Sequence, residues 1–408
     1  MANRILIAGA GIGGLTAALA LQRRGFDVIV FEQARVLGEV GAGLQLSPNA
    51  TRALFRLGLQ ADLERRASVP SSKQVRLWST GQAWKLFDLG AASIETYGYP
   101  YLMLYRPDLL AALVDAVRTL APDSIRLGAR CVGLQQTSSG VVVELDGGER
   151  IEADALIGAD GVHSAMRRLL FGADAPRFSG CMAWRGVIAA ERLPARLREP
   201  VGVNWVGPGG HVIQYPLRGG ALVNFVGIVE RDDWQRESWT EPGSVECCLR
   251  DFAAWHDDVH TLIRAIDTPY KWALMVREPM TCWTAGRVTL LGDACHPTLP
   301  FLAQGAAMAI EDGYVLAGTL AGQPDITGAL RRYERLRLDR TARIVRGSAA
   351  NAARFHNPAL ADAHGAAQYV DREWKEEAVR ERYDWLFRYD VDATDVETGD
   401  LETAAAGH

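Results

Sequence analysis

Apolar and polar positions follow two different rhythms along this chain. In the N-terminal part, short apolar runs alternate with stretches rich in alanine and leucine. Residues 5–8 (ILIA) run through Gly9-x-Gly11-x-x-Gly14 into such a stretch, and DVIVFE returns as a second strand ending in Glu32. This predicts a βαβ unit with its glycines at the first turn. A related pattern follows at IEADALIGADGVHSAMRRLLFG: a strand, a turn holding Asp160, and a helix beginning near Ser164. The middle third, GVNWVGPGGHVIQYPLRGGALVNFVGIV, alternates about glycine-rich turns and predicts an antiparallel sheet. If a strand starts at His211, then His211, Ile213 and Tyr215 share one face, because strand side chains repeat every two residues. RVTLLGD reads as a further strand, ending at Asp293. It leads into a loop bracketed by Pro297 and Pro300 and then a helix opened by Gly305, Ala306 and Ala307. From about residue 327 an amphipathic, basic helix is predicted, packed by Leu336, Ile344 and Val345.

The predicted fold is α/β: a Rossmann-like dinucleotide-binding domain, an antiparallel-sheet substrate domain and a C-terminal helical segment. The first is discontinuous, residues 1–175 and 276–350, with 73–98 lending a hairpin to the substrate sheet. Residues 176–275 form the substrate domain and 351–408 the helical tail. A chain of 408 residues exceeds what one small core usually supports, in keeping with two lobes. The net charge of −5 gives no basic face for nucleic acid. Six cysteines without CxxC or metal-ligand spacing predict no metal, and the absence of an export signal points to a reduced cytoplasm. The longest apolar run, residues 8–21, is too short to span a bilayer. Trp374, Tyr383, Trp385, Phe387 and Tyr389 need a surface to cover, the chain's own or that of a second copy in a homodimer. The last residues, acidic and then alanine-rich, are expected to be disordered.

The glycines carry the first chemical signal. Gly9 permits the tight turn, Gly11 lets the main chain approach a pyrophosphate, and Gly14 lets the helix sit close to the strand. The helix N-terminus then faces the phosphates, and Glu32 can accept from both hydroxyls of an adenosine ribose. Two further acids favour FAD over NAD as the resident dinucleotide. Asp160 can orient a second turn beside the pyrophosphate, and Asp293 can accept from a ribityl hydroxyl, which nicotinamide dinucleotides lack. The plainer role for such aspartates is a turn or helix cap.

Three segments together, Gly9-x-Gly11-x-x-Gly14 with Glu32, GADGVHSAMR, and GDACHPTLPFLAQGAAMAIED, resemble the class A, single-component flavoprotein monooxygenases of the para-hydroxybenzoate hydroxylase fold. The resemblance runs from about residue 4 to about residue 350. It is closest to the branch of salicylate hydroxylase, 3-hydroxybenzoate 6-hydroxylase and 6-hydroxynicotinate 3-monooxygenase, through GEVGAGLQLSPNA, FSGCMAWRGV and HVIQYPLRGG. It implies non-covalent FAD, NADH or NADPH as co-substrate, and attack of a flavin C4a-hydroperoxide, formed with dioxygen, on a phenolic aromatic acid of the salicylate or 3-hydroxybenzoate type. It further implies that the flavin ring lies on the loop at Pro300, Gly305 and Ala306, and that Arg106, before a helix capped by Asp108, lies near the ribityl chain and pyrophosphate. His211 is then the acceptor of the phenolic proton, and Tyr215 binds the substrate or a flavin carbonyl. Gln45, Ile213, Leu299 and Phe301 line the substrate. Relatives that hydroxylate pyridines tend to carry histidines at the positions of Gln45 and Phe301, which favours a benzenoid ring. Arg185 is a candidate for attracting a carboxylate or the nicotinamide cofactor, and His296 is expected to orient the loop. A larger natural product or a hydroxypyridine carboxylate as substrate, or a non-catalytic flavin protein, are the alternatives.

Overall fold

The computed structural model describes residues 3–38, 42–231, 233 and 241–393. The expected disordered end, and Glu39, Val40 and Gly41 of the GEVGAG motif, lie outside the described residues.

The dinucleotide lobe is built on a six-stranded sheet in the order Thr284–Ala285, Val288–Leu290, Ala155–Gly158, Arg4–Ala8, Asp27–Glu32, Ile125–Leu127. All pairings but the edge hairpin are parallel. Ile5, Leu6 and Ile7 are fully buried at its centre. Consecutive apolar residues are what a parallel strand covered on both faces requires, and each such side chain contributes about 1.5–3 kcal/mol by burial. The first helix, Ile12–Gln22, is buried along nearly its whole length. It packs between this sheet and the helix Gly305–Ala321, here called the ring helix.

The second lobe is an eight-stranded sheet in the order Glu241–Pro242, Tyr270–Val276, Arg177–Ala189, Leu222–Glu230, Gly210–Leu217, Val201–Gly207, Ser72–Leu77, Ala83–Asp88. Only the junction of Val201–Gly207 with Ser72–Leu77 is parallel, where the hairpin from the first hundred residues joins. One face, with Trp205, Val203, Val212 and Phe225, packs on the helices Val245–Asp251 and Asp257–Arg264. The opposite face looks toward the dinucleotide lobe. Its link to that lobe is the short strand Gly43–Leu46, paired with Leu102–Tyr105.

The basic amphipathic pattern forms one 30-residue helix, Ile326–Phe355, so the boundary drawn at residue 350 falls inside an element. The tail aromatics cover the chain's own surface. Phe387 meets Tyr97 and Tyr101 edge-on, with ring centroids 5.5 and 5.9 Å apart. Trp374 stacks on Phe355, and Arg343 and Arg340 lie over Trp385 and Tyr389. The expected Asp108 cap is corrected: Tyr105 occupies the N-cap of Arg106–Leu120 without a side-chain cap, and Asp108 in the first turn forms a bidentate pair with Arg218.

Candidate active site

At the dinucleotide turn each glycine answers to a different neighbour. Gly9 has φ +109°, and a Cβ there would stand 2.3 Å from the carbonyl oxygen of Ala159. At Gly14 a Cβ would fall 2.0 Å from the carbonyl oxygen of Gly9. Gly11 has nothing within 4 Å of its hypothetical Cβ, so it borders a groove rather than a packed neighbour. Gly11 is also the N-cap of the first helix and supplies no side-chain cap, which leaves first-turn amides directed at that groove. Glu32 accepts from the amides of Ala10 and Ala34, both at 2.9 Å. Each carboxylate oxygen keeps a lone pair for a ribose hydroxyl.

The two aspartates have different fates. Asp160 caps the helix Ala165–Phe171, accepting from Ser164 Oγ and from the amides of Ala165 and Met166. Its bearing on a cofactor is therefore through the shape of the turn. Asp293 is exposed in a 3-10 turn near His296 and Arg106, and no donor among the described residues meets its carboxylate. Surrounding protein raises its pKa by desolvation, while His296 and Arg106 pull it down. Arg106 is anchored by its backbone, whose N–H donates to Ala42 O at 2.8 Å. An open glycine, an uncapped helix end, a strand-tip carboxylate and an exposed, unpartnered aspartate fit the pyrophosphate, ribose and ribityl groups of FAD.

The loop between the prolines is held from below. Leu299 and Phe301 are buried, and their carbonyls accept from Ser348 Oγ (2.5 Å) and Asn351 Nδ2 (3.1 Å) of the long helix. Pro300 begins a 3-10 turn, Ala303 takes a left-handed conformation at φ +55°, and Gln304 precedes the ring helix without capping it. Gln304 instead bonds Ser47 and Asn49, leaving the amides of Gly305, Ala306 and Ala307 as a positive helix end. Beneath them lies a buried charged network. Asn49 donates to Glu311, Arg337 bridges Glu311 and Asp312 at 2.6 and 2.7 Å, and Asp312 binds His296 Nε2 at 2.6 Å. Burial opposes the charge of Asp312, but His296 and Arg337 hold its pKa down to about 2. His296 Nε2 is thereby held by Asp312 beneath the loop, and the two acids that close the motif, Glu311 and Asp312, belong to this buried network.

The sheet face opposite this loop is different in kind. His211, Ile213 and Tyr215 share it, as their spacing predicts, and Asn204 and Asn224 join them from the flanking strands. Arg185 lies on the same face, buried over the rings of Tyr270 and Trp272. The strand Gly43–Leu46 comes so close that a Cβ on Gly43 would stand 2.7 Å from Tyr215, and the Gly43 amide donates to Asn224 Oδ1 at 2.8 Å. Gln45 Oε1 accepts from Tyr101 Oη (2.7 Å) and from Lys73 Nζ (3.0 Å). Phe301 sets its edge against His211, with centroids 5.2 Å apart.

Several polar atoms on this face are buried without a hydrogen-bond partner: Asn204 Oδ1, Asn224 Nδ2 and His211 Nε2. Buried polar groups are ordinarily satisfied, so three orphaned atoms on one sheet face are open to a ligand's hydrogen bonds. Lys73 belongs with them. No carboxylate among the described residues pairs with its ammonium, and desolvation lowers its pKa to about 8. Sequence reading missed this lysine, because only the non-local junction of Ser72–Leu77 with the sheet brings it here. Desolvation, His356 and Lys73 together push the pKa of His211 well below its ordinary value, so its free nitrogen is a neutral acceptor at pH 7.

A dinucleotide turn, together with a sheet face that carries buried polar atoms lacking partners, is the arrangement of a flavoenzyme acting on a small organic substrate. The family profile described as an FAD binding domain matches residues 3–348, and the chain belongs to that family. It is 41% identical over 390 residues to a 3-amino-4-hydroxybenzoate 2-monooxygenase of Streptomyces platensis, covering 95% of this chain and 96% of that one. It is 39% identical to a 3-hydroxybenzoate 6-hydroxylase of Aquipseudomonas alcaligenes, covering 84% and 87%. Among solved structures, Klebsiella pneumoniae HpxO with FAD and uric acid superposes with TM-score 0.81 at 28% identity, covering 96% of each chain. The protein is an FAD-dependent monooxygenase of the aromatic hydroxylase type, with NAD(P)H as co-substrate. No described helix is long and apolar enough to cross a membrane.

Proposed function

We propose that the enzyme hydroxylates a phenolic benzoate, with the substrate carboxylate held by Lys73 and its hydroxyl directed to His211. The observation that carries this reading is the Lys73 ammonium, partly buried beside Gln45 and lacking an acidic partner, on the same sheet face as an unpartnered imidazole nitrogen. An unpaired desolvated cation favours an anionic ligand, because the ligand restores the interaction that water has lost. His211 and Tyr215, four residues apart in a strand, are separated by about 13 Å along the backbone, room for an aromatic ring between polar ends.

FAD supplies the oxidising chemistry with dioxygen after reduction by NAD(P)H. The chain's part is to hold the acid on Lys73 and to accept the phenolic proton at His211 Nε2, since a phenolate is the better nucleophile. Leu299, Phe301 and Ile213 exclude water. Asp293 and Arg106 would hold the ribityl and pyrophosphate part of FAD. Identity to enzymes named for hydroxybenzoates supports a small aromatic acid over a large natural product, and Gln45 and Phe301, where pyridine hydroxylases tend to carry histidines, favour a benzenoid ring over a hydroxypyridine. The test is NADH or NADPH oxidation, oxygen uptake and product analysis with salicylate, 3-hydroxybenzoate, 3-amino-4-hydroxybenzoate and 6-hydroxynicotinate. A benzoate should stimulate oxidation and yield a hydroxylated product; stimulation by the nicotinate alone would refute the benzenoid reading.

A further inference from the structure

His211 does not stand alone. Its Nδ1 lies 2.7 Å from Nε2 of His356, the residue that ends the long helix, and Nδ1 of His356 lies 2.7 Å from Oε1 of Glu230. Exposure rises along this line, from 0% at His211 through 5% at His356 to 53% for the Glu230 side chain. The three residues come from three elements, the strands Gly210–Leu217 and Leu222–Glu230 and the end of the helix Ile326–Phe355, and meet only in the fold. Phe301 and Phe355 pack on the His211 ring and keep the inner end dry. The charged or titratable neighbours acting on His211 are His356 and Lys73, and on His356 it is Glu230.

We propose that His211, His356 and Glu230 form a proton path that carries the phenolic proton of the bound substrate to solvent and returns one when product forms. The proposal rests on the phenolic-substrate reading above. The hydrogen bonds set the resting tautomers. Glu230, a carboxylate, accepts from Nδ1–H of His356, whose Nε2 must then accept from Nδ1–H of His211, leaving His211 Nε2 with a lone pair on the inner side. On substrate ionisation, the phenolic O–H bond breaks and an N–H bond forms at His211 Nε2. The proton on His211 Nδ1 passes to His356 Nε2, and that on His356 Nδ1 passes to Glu230 and thence to water. One proton enters the path and one leaves it, and no electrons move. Transfer in the reverse direction to the product restores both tautomers. A dry histidine holds a proton poorly, so a path that passes the proton on gives it a use as a base. His356 and Glu230 are positioning residues, since neither touches substrate.

The experiment mixes FAD-loaded enzyme with 3-hydroxy-4-nitrobenzoate, whose phenolate absorbs in the visible, at a pH below the probe's own pKa. Stopped flow records phenolate appearance and, in weak buffer with an indicator dye, proton release. Glu230→Gln keeps an acceptor for His356 but cannot take its proton, and the site is exposed enough to leave folding untouched. Phenolate formation is expected to slow about 10-fold in Glu230→Gln and about 100-fold in His356→Gln, with probe affinity changed less than about threefold. A purely structural clamp would alter affinity or folding and not this rate. Equal rates in wild type and Glu230→Gln overturn the path while leaving the substrate reading intact. If wild-type enzyme shows no flavin perturbation with the probe or with any hydroxybenzoate, the substrate reading falls and the path falls with it.

Discussion

Two buried polar regions face each other across the active site, and they are built on opposite principles. Under the loop, Asn49, Glu311, Arg337, Asp312 and His296 hold one another in short bonds, and Glu311, Asp312 and Arg337 are fully buried. On the sheet face, Lys73, Asn204, Asn224 and His211 are left with valences unspent. Charge that is answered within the protein fixes shape; polarity left unanswered selects what binds. Neither burial nor a single orphaned atom separates the two, since His296 Nδ1 and Arg337 Nη1 under the loop also lack a partner; the charges do, because each cation there meets a carboxylate while Lys73 meets none among the described residues.

Substitutions on the two sides should therefore fail differently. Arg337→Met leaves two acids facing each other in a dry site and should lower unfolding free energy by about 3–5 kcal/mol, measured by denaturant titration of holoenzyme; a loss under 1 kcal/mol would mean the network is not structural. His211→Ala should bind FAD normally but reduce kcat about 100-fold, and unchanged turnover would remove it from the mechanism. Asp293→Ala, which removes the exposed, unpartnered carboxylate, should weaken FAD retention about 10- to 100-fold, read by flavin fluorescence on dilution. Full occupancy there would sink the ribityl assignment.

Lys73→Met sharpens the contrast most directly, because affinity and stability should move in opposite directions. Benzoate binding should weaken about tenfold, while stability at pH 7 rises by about 1 kcal/mol as a desolvated cation is removed. The sign follows from its pKa, lowered to about 8 in the folded chain from 10.5. The unfolded chain holds the proton more tightly, so the charge is a full penalty below pH 8 that fades as pH climbs toward 10.5. The smallest effect is the pH profile of binding. Affinity of wild type for benzoate, which has no phenol to titrate, should be full below pH 8 and decline above it, and the decline should be absent in Lys73→Met.

Much of the scaffold was legible because its signals are local. The spacing of Gly9, Gly11 and Gly14 is decided by contacts within one βαβ unit and its neighbouring turn, and the alternation about His211 assigned Ile213 and Tyr215 to its face. The site's partners were less legible because they are assembled across distance. Lys73 arrives through a parallel junction with a strand more than a hundred residues further along the chain, and His356 through the far end of a helix. Asp108 shows the same limit in reverse: a first-turn aspartate reads as a cap, but Arg218, from the far end of the substrate sheet, claims it. Asp160 was placed correctly beside the turn, yet its carboxylate is spent on the following helix.

The long helix Ile326–Phe355 spans about 45 Å. Its Arg337 is rooted under the flavin-binding lobe, Ser348 and Asn351 grip the loop, and Phe355 and His356 end against the sheet. It is a strut spanning both halves of the molecule. Halves joined by a rigid strut do not swing apart like a hinged jaw, so traffic of substrate and product falls to small local displacements near the pocket. Heating should likewise dismantle both halves in a single cooperative melt.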